Sequence, residues 1–149
     1  MSRFRTILVP IDFSQHSSAA LDLAIEIARD AGATLHLLHC YSIDPGAISP
    51  YGIVIPEGFD REVREAAARE LVGWADRVEN AKLPVEQHLA SAFPAEAIPR
   101  TAEEIGADLI VMGTRGLSGL KHVLLGSIAE RTLRLAHCPV LTVKAPESK

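Results

Sequence analysis

A chain of 149 residues, 48% of them hydrophobic and 23% charged, is long enough to bury a core without staples and is most simply one domain spanning 1–149. Its net charge of −4 argues against the basic footprint of a nucleic-acid binder. Its two cysteines, Cys40 and Cys138, lie far apart with no CxxC spacing, which argues against a disulfide framework and suits a reducing compartment.

The N-terminal stretch MSRFRTILVPID starts basic, but its apolar run is interrupted by Pro10 and closed by Asp12, too short for a signal-peptide core. No apolar stretch approaches the length of a membrane helix, so a soluble cytoplasmic protein is expected. RTILVPI (5–11) is a continuous apolar run of the buried-strand type. A helix is expected over 14–32, with Ala20, Leu23, Ala24, Ile27, Ala28 and Ala31 on its inner face, Ser14 as N-cap and Gly32 just past its end. TLHLLHC (34–40) reads as the second strand. Residues 41–59 hold three prolines and three glycines and read as a long loop.

Residues 60–81 carry Val63, Ala66, Ala67, Leu71 and Trp74 at helical spacing, with Glu and Arg forming a solvated outer face. A shorter strand is expected over 84–91 and a helix over 95–106, with Pro99 in its first turn. ADLIVMG (107–113) is a fourth buried strand, 127–138 a helix and PVLTVK (139–144) a last strand. Strands alternating with helices predict an α/β domain, a doubly wound parallel sheet with helices on both faces. Ligands of such sheets bind beyond the strands' carboxyl ends where strand order reverses. Asp12 and Gly113, which follow strands one and four, are the natural candidates.

MGTRGLSGLKHVLLGS (112–127) contains the pattern Gly113-x2-Gly116-x9-Gly126-Ser127. Glycine at a strand exit lets a ligand approach the main chain, and a second glycine three residues on permits positive φ, so that N–H groups converge on an anion. Gly126 and Ser127 stand at a helix start, where unpaired N–H groups and the dipole favour negative charge. Ser127 can add a hydrogen bond or serve as the cap, and Arg115, Lys121 and His122 can offset phosphate charge. Gly119 falls outside the pattern and reads as a turn. The loop is not GxxxxGK[ST], and PIDFSQHS after strand one has no glycine for a dinucleotide fingerprint. On residues alone, two readings stay open: a phosphate cradle, or an ordinary glycine-rich strand-to-helix connection. Asp12 likewise reads either as an acceptor for sugar hydroxyls or as a helix-capping residue beside Ser14.

ILVPIDFS, HLLHC, ADLIVMGTRG, LLGSIAERTLRLAHCPVLTVK and the G-x2-G-x9-G-[ST] spacing together resemble the universal stress protein family almost end to end. The resemblance implies a five-stranded parallel sheet of order 3-2-1-4-5, and the intact glycine pattern resembles the branch that binds ATP. It implies ribose or adenine contacts at Pro10, Ile11 and Asp12, and adenine packing at Cys40, where the family commonly has a larger aliphatic residue. Met112 and Gly113 would lie along the ribose, and Arg115, Gly116, Gly126, Ser127 and Ile128 around the phosphates. A Mg²⁺ ion accompanying the triphosphate would take Asp12 as its protein partner through water. The resemblance also implies a homodimer paired through the last strand, which would remove an exposed apolar edge; Lys144 and the polar tail offer the other way to blunt it.

His36, His39 and Cys40 suggest a metal cluster, but 36 and 40 face one way on a strand and 39 the other, so these are read as core or loop residues and no metal site is expected. His137-Cys138-Pro139 reads as a helix C-terminus with a favourable histidine, and Trp74 as core. Three functions remain: an ATP-binding stress-response regulator, a dimeric interaction protein of the same fold without functional nucleotide binding, and an enzyme. The intact glycine pattern favours the first. No Ser-His-Asp order or paired carboxylates surround the loop, so at most weak ATP hydrolysis is expected.

Overall fold

The computed structural model describes residues 3–42, 58–115 and 125–146. They form β1 (Thr6–Pro10), α1 (Gln15–Ala31), β2 (Thr34–Tyr41), α2 (Phe59–Asn80), β3 (Val85–Ser91), α3 (Pro94–Ile105), β4 (Leu109–Gly113), α4 (Ser127–Leu135) and β5 (Val140–Val143). The sheet is entirely parallel, in the order β3-β2-β1-β4-β5. Strand order therefore reverses at β1, between β2 and β4.

Alternation along the strands feeds two cores. Ile7, Val9 and Ile11 join Leu35, Leu37, Leu109 and Val111 beneath α1 and α2. Leu8, Leu38, Ile110 and Met112 join Ile98 and Ala102 of α3 and Ala129 of α4 on the opposite face. Both faces of β1, β2 and β4 are thus buried, which is why they read as continuous apolar runs. Asp108 fixes the start of β4 against β1: its carboxylate accepts the N–H groups of Arg5 (2.9 Å) and Thr6 (3.3 Å).

The Ser14 side chain accepts the Ser17 N–H at 3.2 Å, and Gly32 ends α1 at φ 70°. Both are the expected caps. The buried face of α1 differs from the expected one: Ser17, Ala20, Leu21, Ala24 and Ala28 point inward, while Leu23 and Ile27 are only half-buried. The sheet selects the stripe centred on the alanines, which permit close helix–sheet approach. In α2 the buried positions are Ala67, Leu71, Ala75 and Val78; Ala66 is exposed. Trp74 is half-buried, capped by the Arg77 guanidinium 5.1 Å from its ring centre, and Arg77 also binds Asp22 of α1.

Pro99 does not lie in the first turn. α3 begins at Pro94, whose missing N–H falls where no intrahelical bond exists, and Pro99 sits one turn further in. α4 is shorter than expected: it ends at Leu135 with Ala136 as cap, so His137 and Cys138 lie beyond the helix. Of the expected long loop, 43–57 lies outside the described residues, β2 runs on to Tyr41, and Phe59 already belongs to α2.

Candidate functional site

The carboxyl ends of β1 and β4 open into a cleft of about 330 Å³, within the size range of small-molecule sites. Pro10, Ile11 and Asp12 enter it from β1, Cys40 from β2, and Met112, Gly113 and Arg115 from β4 and its exit. Gly126, Ser127 and Ile128 close it from the start of α4. Ten sequence-derived candidates thus share one cavity. Gly116, the eleventh, lies outside the described residues, as do Gly119, Lys121 and His122.

The β1–α1 turn sets the position of Asp12. Its Oδ1 accepts the Ser14 N–H (3.0 Å) and the Ser17 hydroxyl (2.6 Å), while the Asp12 N–H donates to Ser17 Oγ (2.9 Å). The capping role is therefore realised, and it occupies one carboxylate oxygen. Among the described residues Oδ2 accepts no hydrogen bond. Phe13, next in the chain, has φ 66°, a left-handed conformation rare for a bulky residue. Its ring packs against His39 at 4.2 Å and Trp74 at 5.8 Å. The His39 Nδ1 lies 2.7 Å from the Ile11 carbonyl, which places the proton on Nδ1. This small aromatic cluster holds the strained turn from behind.

The glycines separate by cause. A Cβ on Gly113 would stand 2.6 Å from the His16 Cβ and 2.9 Å from the His16 carbonyl carbon. Close packing of α1 on β4 therefore excludes any side chain there, independent of any ligand. Gly126 caps α4 with φ −68°, and its N–H donates to the Thr114 carbonyl at 2.6 Å. An added Cβ would meet that same carbonyl at 3.1 Å. Because Gly126 is the cap, Ser127 is the first helical residue and its hydroxyl does not cap the helix. The first intrahelical bond runs from Glu130 N–H to the Gly126 carbonyl (2.9 Å), leaving the N–H groups of Ser127, Ile128 and Ala129 without intrahelical partners. The positive end of the helix dipole thus meets the cleft.

The opposite wall is apolar. Burial pushes the Cys40 thiol up to about 11, partly opposed by Arg100, so the thiol stays neutral and packs as a small hydrophobe. Leu38, Pro94, Ile98 and Ala129 also line the cleft, as do Ser17 and Thr114. Leu38 was legible as the same-face neighbour of Cys40, two residues away on a strand. Pro94 and Ile98 carry no such signal, because α3 reaches the cleft only through tertiary packing. Thr114 Oγ1 is buried with no hydrogen-bond partner among the described residues, which makes it a polar group open to a ligand.

A model of the Universal stress protein family matches residues 3–144. The chain is 37% identical over 150 residues to universal stress protein YxiE of Bacillus subtilis, covering 95% of this chain and 99% of that one. Its fold is similar to that of the hypothetical protein MJ0577, with a TM-score of 0.85, 26% identity and coverage of 98% and 99%. It is also similar to a universal stress protein crystallised in complex with cAMP, with a TM-score of 0.68, 29% identity and coverage of 96% and 98%.

Proposed function

We propose that this chain, which belongs to the universal stress protein family, binds an adenine nucleotide, ATP above all, in the β1–β4 cleft and acts as a stress-response regulator through its occupancy. The observation that carries this reading is the polarity of the cleft: an apolar wall at one side and three N–H groups without intrahelical partners at a helix start on the other. In this reading adenine packs against Ile11, Cys40 and Ile98, and Asp12 Oδ2 accepts a ribose hydroxyl. Pro10, Met112 and Gly113 flank the sugar. The phosphates meet the α4 start at Gly126, Ser127 and Ile128, with Arg115 lining the same end and Gly116 completing the glycine pattern in sequence. A similar family member in complex with cAMP supports the ligand class.

Asp12 is the one carboxylate among the described residues that line the cleft, and half of it is committed to the turn. That favours binding over turnover. Where ATP brings Mg²⁺ with it, the second lone pair of Asp12 Oδ2, beside the one that accepts the ribose hydroxyl, is what meets the ion's water shell. The reading includes a cytoplasmic protein; among the described residues no helix is long and apolar enough to cross a membrane. It also includes a homodimer paired along β5, which forms a sheet edge and leaves Leu141 partly exposed.

Mass spectrometry of the small molecules released when the cell-expressed protein is denatured should detect ATP or ADP. Calorimetric titration should show adenine-nucleotide binding that Gly116→Val abolishes without unfolding the chain. No nucleotide released and no binding heat in wild type would replace this reading with that of an interaction protein of the same fold.

A further inference from the structure

On the face of the sheet opposite His39 and Trp74, β2 and β3 bring three potential metal ligands together. Register pairs His36 with Glu86 and Leu38 with His88, so the three side chains share the face that carries Leu38 and Cys40. His36 Nδ1 lies 2.9 Å from His88 Nε2 and 3.2 Å from Glu86 Oε2, and the two imidazole rings are nearly parallel at 16°. All three ligand atoms fall within 4.8 Å of one another.

Hydrogen bonding alone serves this trio poorly. A single Nδ1 proton has to be shared between a carboxylate oxygen and an imidazole nitrogen, whereas a bare Nδ1 leaves the carboxylate facing a second lone pair. A cation accepts all three lone pairs at once. Zinc–nitrogen and zinc–oxygen bonds of about 2.0–2.2 Å in a tetrahedron separate the ligand atoms by roughly 3.3 Å, a few tenths of an ångström from the two spacings that His36 makes, with Glu86 and His88 within 4.8 Å of each other. Two histidines and a glutamate also form a known zinc donor set with one position left open.

We propose that His36, Glu86 and His88 bind a divalent transition-metal ion of the Zn²⁺ type on the face of the sheet edge. His36 is 8% exposed and supplies the fixed ligand. Glu86, on edge strand β3 with 64% of its side chain exposed, supplies the flexible one and the route of entry. His88 also lines a groove of about 340 Å³ beneath α3, where Arg100 and Glu104 contribute opposite charges, so the surroundings neither add to nor cancel the ligand charge. The fourth position is left to water. This site is separate from the nucleotide cleft in its ligands and does not depend on it.

The test is calorimetric titration of metal-stripped full-length protein with Zn²⁺, beside His88→Gln and Glu86→Gln. Both substitutions fall on partly or largely exposed side chains of an edge strand, and thermal melts in chelator confirm that the variants fold. One equivalent per chain is expected in wild type, with affinity reduced about 100-fold in His88→Gln, as large as the upper losses seen when even supporting residues of metal sites are removed. Wild type should gain melting temperature on adding Zn²⁺ while His88→Gln does not. Substituted Co²⁺ should give the intense visible bands of a tetrahedral nitrogen–oxygen site. No saturable binding in wild type, undiminished binding in His88→Gln, or a thiolate-to-cobalt band placing the ion on Cys40 or Cys138 would each overturn the proposal.

Discussion

The His39 imidazole stacks 4.2 Å from the ring of Phe13 while its Nδ1–H is 2.7 Å from the Ile11 carbonyl, so one side chain of β2 grips both ends of the turn that carries Asp12. The left-handed φ of 66° at Phe13 is held by this grip and by Trp74. A residue three positions upstream in the strand, His36, faces the other side of the sheet and takes no part.

Phe13→Ala should therefore lose the stack and keep the strain. Removing a half-buried phenylalanine is expected to destabilise by about 2–3 kcal/mol, toward the low end for aromatic truncation. Phe13→Gly should be milder than Phe13→Ala by about 1 kcal/mol, the reverse of the usual order, because glycine adopts positive φ without penalty. Urea unfolding of the three proteins checks the order; a glycine variant less stable than the alanine variant would contradict it.

Asp12→Asn separates the two roles of that residue. Asparagine Oδ1 still accepts the Ser14 N–H and the Ser17 hydroxyl, so stability should stay within about 0.5 kcal/mol of wild type. The charge-assisted bond to a ribose hydroxyl is lost, and since such bonds exceed neutral ones by about 1–1.5 kcal/mol, nucleotide affinity should fall about tenfold. Paired unfolding and calorimetric titrations measure both. Unchanged affinity would leave Asp12 with the turn alone.

Gly113→Ala should destabilise the fold whether or not nucleotide is present. The new Cβ meets His16 at 2.6 Å and its backbone at 2.9 Å, and forced overpacking costs about 1–3 kcal/mol. Truncating His16 to alanine in the same chain should give no rescue, because the clashing atoms are its Cβ and main chain. A melting temperature equal to wild type for Gly113→Ala would show that α1 is free to shift away from β4.

The Cys40 thiol, raised from 9.0 to about 11 by burial, should be slow to alkylate. At pH 9 about half of an unfolded thiol is ionised but only about 1% of the folded one, so folding should slow iodoacetamide about 50-fold at this position in a Cys138→Ser background. Bound adenine nucleotide should slow it further. The sign for stability follows: below pH 9 both states hold the proton, whereas between pH 9 and 11 the unfolded chain releases it first, so stability falls as pH rises through that window. Cys40→Ala should flatten this part of the profile.

Periodicity and apolar runs were sufficient to determine the β/α alternation, the parallel sheet and the caps of α1, because these depend on neighbours along the chain. Ser14 and Gly32 cap α1 through atoms a turn away. The candidate cleft residues lie at or near the carboxyl ends of β1, β2 and β4 or at the start of α4; Asp12, Gly113 and the Gly126-Ser127 start of α4 were legible from those positions, whereas Pro10, Ile11, Cys40, Met112 and Ile128 came only with the family resemblance. What spacing could not decide were the relations between distant segments. Gly113 reads as room for a ligand, yet α1 fills the space where its side chain would stand. Leu21 rather than Leu23 is buried because the sheet, not the helix, chooses the stripe. His36 reads as an isolated core histidine until β3 pairs beside it and register sets Glu86 and His88 against the same imidazole. Local patterns encode which elements form; only the pairing of strands far apart in the chain sets which side chains meet across them.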